Sequence, residues 1–163
     1  MADEQQQNQQ PQGQFQLQRI YMKDLSFEAP RTPAIFKQEW KPEVNLEVNT
    51  GANLVEDAIY EVVLKVTATV KNGDKVAFIV ELQQAGLFTV NGFEGFQLEH
   101  VLKGVCPNIL FPYAREAVAD LVARGTFPQF LLQPINFEAA FIEQVRKQQA
   151  AQEQSPEGEP ASH

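Results

Sequence analysis

One cysteine, two histidines and one tryptophan are among the rarest side chains of these 163 residues, and such shortages close off kinds of chemistry. Cys106 alone cannot form an internal disulfide, which fits a reducing compartment. It precedes Pro107 and reads as a small apolar core group. His100 and Cys106 have no second ligand pair beside them, and His163 lies far off, so no spacing matches a metal site. Serine is scarce as well. Ser26 and Ser155 have no histidine placed near them, Ser162 has only the adjacent His163, and no Gly-x-Ser-x-Gly occurs. Gly92-Phe93-Glu94-Gly95 lacks the Gly-Lys-Ser/Thr ending of a phosphate loop. The expectation is a protein that is not an enzyme, with no cofactor and no metal.

Long apolar runs are missing too, far short of the roughly 20 residues of a membrane span, so no membrane insertion is expected. The start is Gln-rich and carries Asp3 and Glu4, unlike a signal peptide, and the chain reads as cytoplasmic. Basic residues are the minority: 13 against 21 acidic, a net charge of −8. Nucleic acid is an unsuitable partner for such a surface, whereas a partner with a basic face suits it.

Residues 1–13 and the acidic stretch 148–163 hold too little apolar surface to repay ordering, so both are expected to be disordered tails around one domain at 14–147. Within it, Phe15 to Glu28 alternates: odd positions Phe15, Leu17, Arg19, Tyr21, Lys23, Leu25 and Phe27 form the core side of a strand, and Asp24, Ser26 and Glu28 share the other side. Pro30, Pro33 and Pro42 make 29–42 a loop that contains Trp40. A short strand follows at Val44, Leu46 and Val48. Tyr60 to Val70 and Val76 to Leu82 form a hairpin, and a three-residue loop, Asn72 to Asp74, would pair Val70 with Val76, Val66 with Val80 and Lys65 with Glu81. After a short helical piece near Gly95 to Lys103, Asn108 reads as the N-cap of a helix that closes at Gly125. A Pro-punctuated segment, 127–135, leads to a last helix capped by Asn136, with Phe137, Ala140, Phe141 and Val145 on one stripe. Four strands followed by two main helices give an α+β fold.

The feature left over is phenylalanine, 12 in all. Rings offer large apolar area at small entropic cost, so they serve either as core or as a groove for extended polypeptide.

Several stretches are specific enough to carry a resemblance. They are FQLQRIYMKDLSFEAPRTPAIF at 15–36, FKQEWKPEV at 36–44, YEVVLKVTATV at 60–70, FIVELQQAG at 78–86, CPNILFPYAREAV at 106–118 and RGTFPQFLLQPINFEAAF at 124–141. In this order they resemble the SecB family of protein-export chaperones. The resemblance implies a four-stranded antiparallel sheet with two main helices, assembled as a homotetramer, a dimer of dimers. It implies a chaperone that binds unfolded precursor polypeptides without ATP, keeps them competent for translocation and passes them to the export ATPase SecA. Asp24, Glu28, Ile79 and Glu81 match the family's SecA-binding positions. Phe27, Trp40, Phe137 and Phe141 are the candidates for a client groove, and Val80, Leu82 and Gln84 match positions that support subunit association. The competing expectation is a SecB-like scaffold or antitoxin-associated chaperone dedicated to one partner, which client breadth distinguishes from an export chaperone.

Overall fold

The computed structural model describes residues 13–155. Strands β1 (Gln14–Glu28), β2 (Pro42–Glu56), β3 (Ile59–Asn72) and β4 (Lys75–Asn91) form one antiparallel sheet in the order β1-β4-β3-β2. Chain neighbours β1 and β2 therefore sit on opposite edges, and residues 29–41 must cross one end of the sheet. That crossover holds a short turn of 3-10 helix, Ala34–Lys37, pinned by buried Ile35.

The β3–β4 hairpin corrects the expected register. Its loop is two residues, with Gly73 at a left-handed φ of +67°, and Asn72 faces Lys75. A bulge at Ala77 then restores the parity that the short loop loses. Val70 pairs with Phe78, Ala68 with Val80 and Val66 with Leu82, so Lys65 faces Gln83 while Glu81 faces Thr67. The hydrophobic pattern demanded matching faces, and a bulge meets that demand as well as a third loop residue would.

β1 also departs from simple alternation. Gln18 and Lys23 are extra residues in two bulges, each of which flips the side-chain parity. Phe15, Leu17, Ile20, Met22, Leu25 and Phe27 thus share one side, opposite Val90, Phe88, Gly86, Gln84, Leu82 and Val80. Arg19 and Tyr21, expected on the core side, lie on the other, as do Asp24, Ser26 and Glu28. β2 and β4 run longer than expected. Gln84 and Gly86 interrupt the apolar row of β4 in sequence, yet Phe88 and Val90 continue the same buried face.

Helices cover that face. α1 (Gly95–His100), a wider π turn at Val101–Val105 and α2 (Cys106–Arg124) follow without a break in helical backbone. Asn108 is consequently inside a helix and not its N-cap. α2 lays Leu110, Ala114, Val118 and Val122 on Val62, Leu64, Val66, Phe78 and Phe88. Gly86 admits this approach, because a Cβ there would lie 3.0 Å from Leu110.

α2 ends where expected, with Gly125 directly after Arg124. The left-handed residue is Thr126, at φ +61°, while Gly125 keeps a helical φ of −72°. Phe127 N–H donates back to Val122 O at 3.3 Å and Thr126 N–H to Ala123 O at 3.0 Å, closing the helix. Gly125 is needed for space, since a Cβ there would sit 2.5 Å from the Phe27 ring. Residues 127–136 then run irregularly to α3 (Phe137–Glu153), where Asn136 accepts from Ala139 N–H at 3.1 Å as an N-cap should. α3 continues past the boundary expected at 147. Residues 1–12 and 156–163, most of the two expected tails, lie outside the described residues.

Candidate functional site

Two aromatic clusters stand on the helix-covered side. The first gathers where the crossover meets the end of α2. Phe127 is its hub, with ring centroids 4.8 Å from Phe78, 5.3 Å from Phe36, 5.8 Å from Trp40 and 6.4 Å from Phe27. Phe130 adds an edge contact to Phe78 at 6.2 Å. Phe127 and Phe78 are buried, Trp40 and Phe27 half-buried, and Phe36 is 50% exposed. The hub is therefore sealed while its rim faces solvent, an arrangement that gives rigid apolar area without collapse.

The second cluster is built by α3. Phe141 lies 5.4 Å from Phe96 and 6.1 Å from His100, and Phe137 lies 5.7 Å from Phe111. Asn108, displaced from its expected capping role, serves this helix instead: its Oδ1 accepts from Phe137 N–H at 3.0 Å and its Nδ2 donates to Glu138 at 3.1 Å. His100 Nε2 lies 3.1 Å from the other Glu138 oxygen. Gly104, in the π turn, lets α3 approach, because a Cβ there would meet Glu138 Cα at 3.1 Å. Beside this cluster opens a cavity of about 370 Å³ between β2 and α3, lined by Val48, Thr50, Lys103, Ile135, Phe137 and Phe141 among others. Residues 127–136 link the two clusters along the chain.

The four groove candidates thus divide. Phe27 and Trp40 belong to the first cluster, Phe137 and Phe141 to the second, where both are buried. Phe127, Phe36 and Phe96 were not singled out from sequence. For Phe36 the signal was present, since it shares the Pro-bounded crossover with Trp40.

The opposite sheet face is not covered by helices among the described residues. Asp24 faces Gln83, Ser26 faces Glu81 and Glu28 faces Ile79, so one face of the β1–β4 pair carries Asp24, Glu28, Ile79 and Glu81 together. The three carboxylates are exposed and Ile79 is partly so. No ion pair among the described residues engages any of the three. Toward the far end of the same face, Glu61 accepts from Tyr21 Oη and lies 2.7 Å from Lys23 Nζ, which reaches it from the bulge. Lys23 and Tyr21 hold the Glu61 carboxyl below the usual carboxylate range. Burial, helped by the neighbouring carboxylate, pushes the Tyr21 phenol up to about 12.

Val80, Leu82 and Gln84 are all buried within the single chain, on the helix side. Gln84 Nε2 donates to the Tyr21 carbonyl at 3.1 Å. The apolar residues they support are exposed instead: Leu25, opposite Leu82, is 44% exposed, and Met22, opposite Gln84, is 38% exposed. β2, the other edge, exposes Val44, Leu46 and Leu54. Cys106 is buried, and that burial raises its thiol pKa to about 12, which removes it as a nucleophile at neutral pH. Among the described residues, no cluster of His, Cys, Asp and Glu could hold a metal ion, and no helix is long and apolar enough to cross a membrane.

Comparison with known proteins bears on this arrangement. A family model described as preprotein translocase subunit SecB matches residues 6–149. The protein-export protein SecB of Pseudomonas savastanoi pv. phaseolicola is 55% identical over 140 residues, covering 86% of each chain, and that of Pseudomonas syringae pv. syringae matches equally well. Among solved structures, a SecB-like chaperone of Mycobacterium tuberculosis in complex with a ChAD peptide from an antitoxin superposes with a TM-score of 0.62. It is 20% identical, and the match covers 74% of this chain and 90% of that one, a likeness of fold.

Proposed function

The chain belongs to the SecB family, and from that premise we propose that it is an ATP-independent export chaperone whose two sheet faces have separate partners. Unfolded precursor polypeptide is held on the helix-covered side by the two aromatic clusters, and the export ATPase SecA is met on the open acidic face. The observation that carries this reading is the segregation itself. Half-exposed rings (Phe36, Trp40, Phe27) and the cavity beside Phe141 lie on one side, and Asp24, Glu28, Ile79 and Glu81 on the other.

Holding needs no covalent step. An unfolded chain with scattered aromatic and aliphatic residues buries them against rings that accept many shapes, and several modest contacts along one chain add up. Whatever binds the unfolded chain and not its folded form opposes folding by mass action. SecA recognition is of another kind. Exposed carboxylates around a half-exposed Ile79 attract a basic segment at long range and give it one apolar contact to seat on. A client on one side leaves the other side free, so both partners are bound at once during transfer.

The apolar rows of β1 and β2 support association into a homotetramer. In this reading Val80, Leu82 and Gln84 act from below, by setting the shape of β1 at Leu25 and Met22. The chaperone works in the cytoplasm and performs no catalysis.

The test mixes a chemically unfolded precursor with the protein and follows refolding and aggregation by fluorescence and light scattering. Delay at near-stoichiometric ratios without ATP supports holding. A folded protein that leaves the precursor's refolding unchanged overturns it, and the dedicated single-partner alternative then takes its place.

A further inference from the structure

β2 begins with Pro42, which has no N–H to give to the sheet, yet the chain just before it is held firmly. The Asn72 side chain does the holding. Its Oδ1 accepts from the Lys41 N–H at 2.8 Å, and its Nδ2 donates to the Glu39 carbonyl at 3.0 Å. These groups belong to the peptide units on either side of Trp40. One carboxamide thus supplies the donor and the acceptor that a neighbouring strand would offer, and it adds a rung to the β2–β3 ladder beyond Pro42. Asn72 stands directly opposite Pro42 at the end of β3 and is only 5% exposed, so water competes little for either bond.

We infer that Asn72 is the positioning residue for Trp40: by gripping both flanking peptide units it sets the indole against Phe127 and fixes the client-binding rim of the crossover cluster. The inference rests on the reading of Trp40 as a client contact. The geometry favours a positioning role over a purely hairpin role, because both side-chain bonds leave the hairpin and neither closes the Gly73-Asp74 turn. Only an amide of this length meets both groups. An aspartate keeps the acceptor and loses the donor, and an alanine leaves both peptide groups of the crossover unpaired.

Trp40 is the chain's only tryptophan, so its fluorescence reports on this site alone. The experiment uses the full-length protein and, as probe, a reduced, carboxymethylated, permanently unfolded polypeptide that lacks tryptophan. Three readouts are taken: the dissociation constant, acrylamide quenching of Trp40, and hydrogen exchange at the Lys41 amide. For Asn72→Ala we expect roughly three- to tenfold weaker probe binding, stronger quenching and faster Lys41 exchange. Asn72→Asp should keep Lys41 protection and fall between in affinity. Phe141→Ala should weaken binding while leaving the Trp40 and Lys41 signals unchanged.

Unchanged quenching and affinity in a folded Asn72→Ala protein overturn the inference. If that variant does not fold, Lys41 exchange in the wild type decides: exchange as fast as in an open loop overturns the latch, and protection upholds it. Failure of the wild type to bind the probe sinks the chaperone reading instead, and the Trp40 and Lys41 signals still report on the latch.

Discussion

Phe78 and Ile79 are neighbours in sequence and opposites in circumstance. Phe78 points under the helices into the aromatic hub, where it is 1% exposed, while Ile79 stands on the open face beside Glu28. The difference recurs along the whole sheet. The covered face is built from Val, Leu and Phe packed against α2, so its energy goes into the fold. The open face carries carboxylates, amides and threonines around a buried patch at Val63 and Ala85, so most of its polar side chains remain available to a partner. A strand's period of two keeps these roles apart within one short segment. Changes on one face should therefore disturb one function and spare the other.

The largest effect separates the faces by stability. Phe78→Ala should cost about 3–5 kcal/mol, seen as a lower urea midpoint. Ile79→Ala, with less to lose from burial, should cost about 1 kcal/mol. Equal losses would mean that the open face is covered by the chain itself or by an assembly. Next in size is the charge pattern. Glu28→Lys combined with Glu81→Lys should weaken SecA binding about a hundredfold at low salt, with the gap narrowing as salt rises. Delay of precursor refolding should be unchanged. Trp40→Ala should do the reverse, with client affinity falling roughly tenfold and SecA binding intact, as titrations of each partner would reveal.

The smallest effect concerns the Tyr21–Glu61–Lys23 network. Glu61's folded-state pKa lies below its ordinary value, so the network's contribution is fully present above pH 4.5 and is lost as the pH falls through the folded value. Glu61→Gln should cost about 1 kcal/mol or less at neutral pH. It should also flatten the acid side of the stability profile, which denaturant titrations from pH 3 to about 7 would check.

Much of this was legible in the sequence where side-chain parity governs. The row Val62, Leu64, Val66, Ala68 and Val70 could only be one buried face, and Asp24 with Glu28 could only share the other side of β1. What parity hides is the bulge. Gln18, Lys23 and Ala77 each insert one residue: the bulge at Ala77 moved the hairpin register while its faces survived, and the two in β1 exchanged the faces of the residues between them, Arg19 to Met22. Pairings that are not consecutive in the chain were equally hidden. Nothing local says that β1 lies against β4, and that neighbour relation is what places Glu28 beside Ile79. The same holds for Trp40, readable as a loop tryptophan, whose partner Phe127 enters from far along the chain. Asn108 was misjudged for a third reason. It has the right chemistry for a helix end, but its side chain accepts from the first N–H of a different helix, whereas Gly125 does end α2 and also makes room for a ring.

The most direct test of two faces with two partners is a ternary binding experiment. The protein is saturated with an unfolded precursor, and SecA is then titrated against it, with wild type, the Glu28/Glu81 double lysine variant and Trp40→Ala compared. The account predicts that SecA joins the client-loaded wild type without displacing the client. The lysine variant should keep its client and refuse SecA, and Trp40→Ala should accept SecA while holding its client weakly. Displacement of the client by SecA at equilibrium, or loss of both partners in either variant, would contradict it.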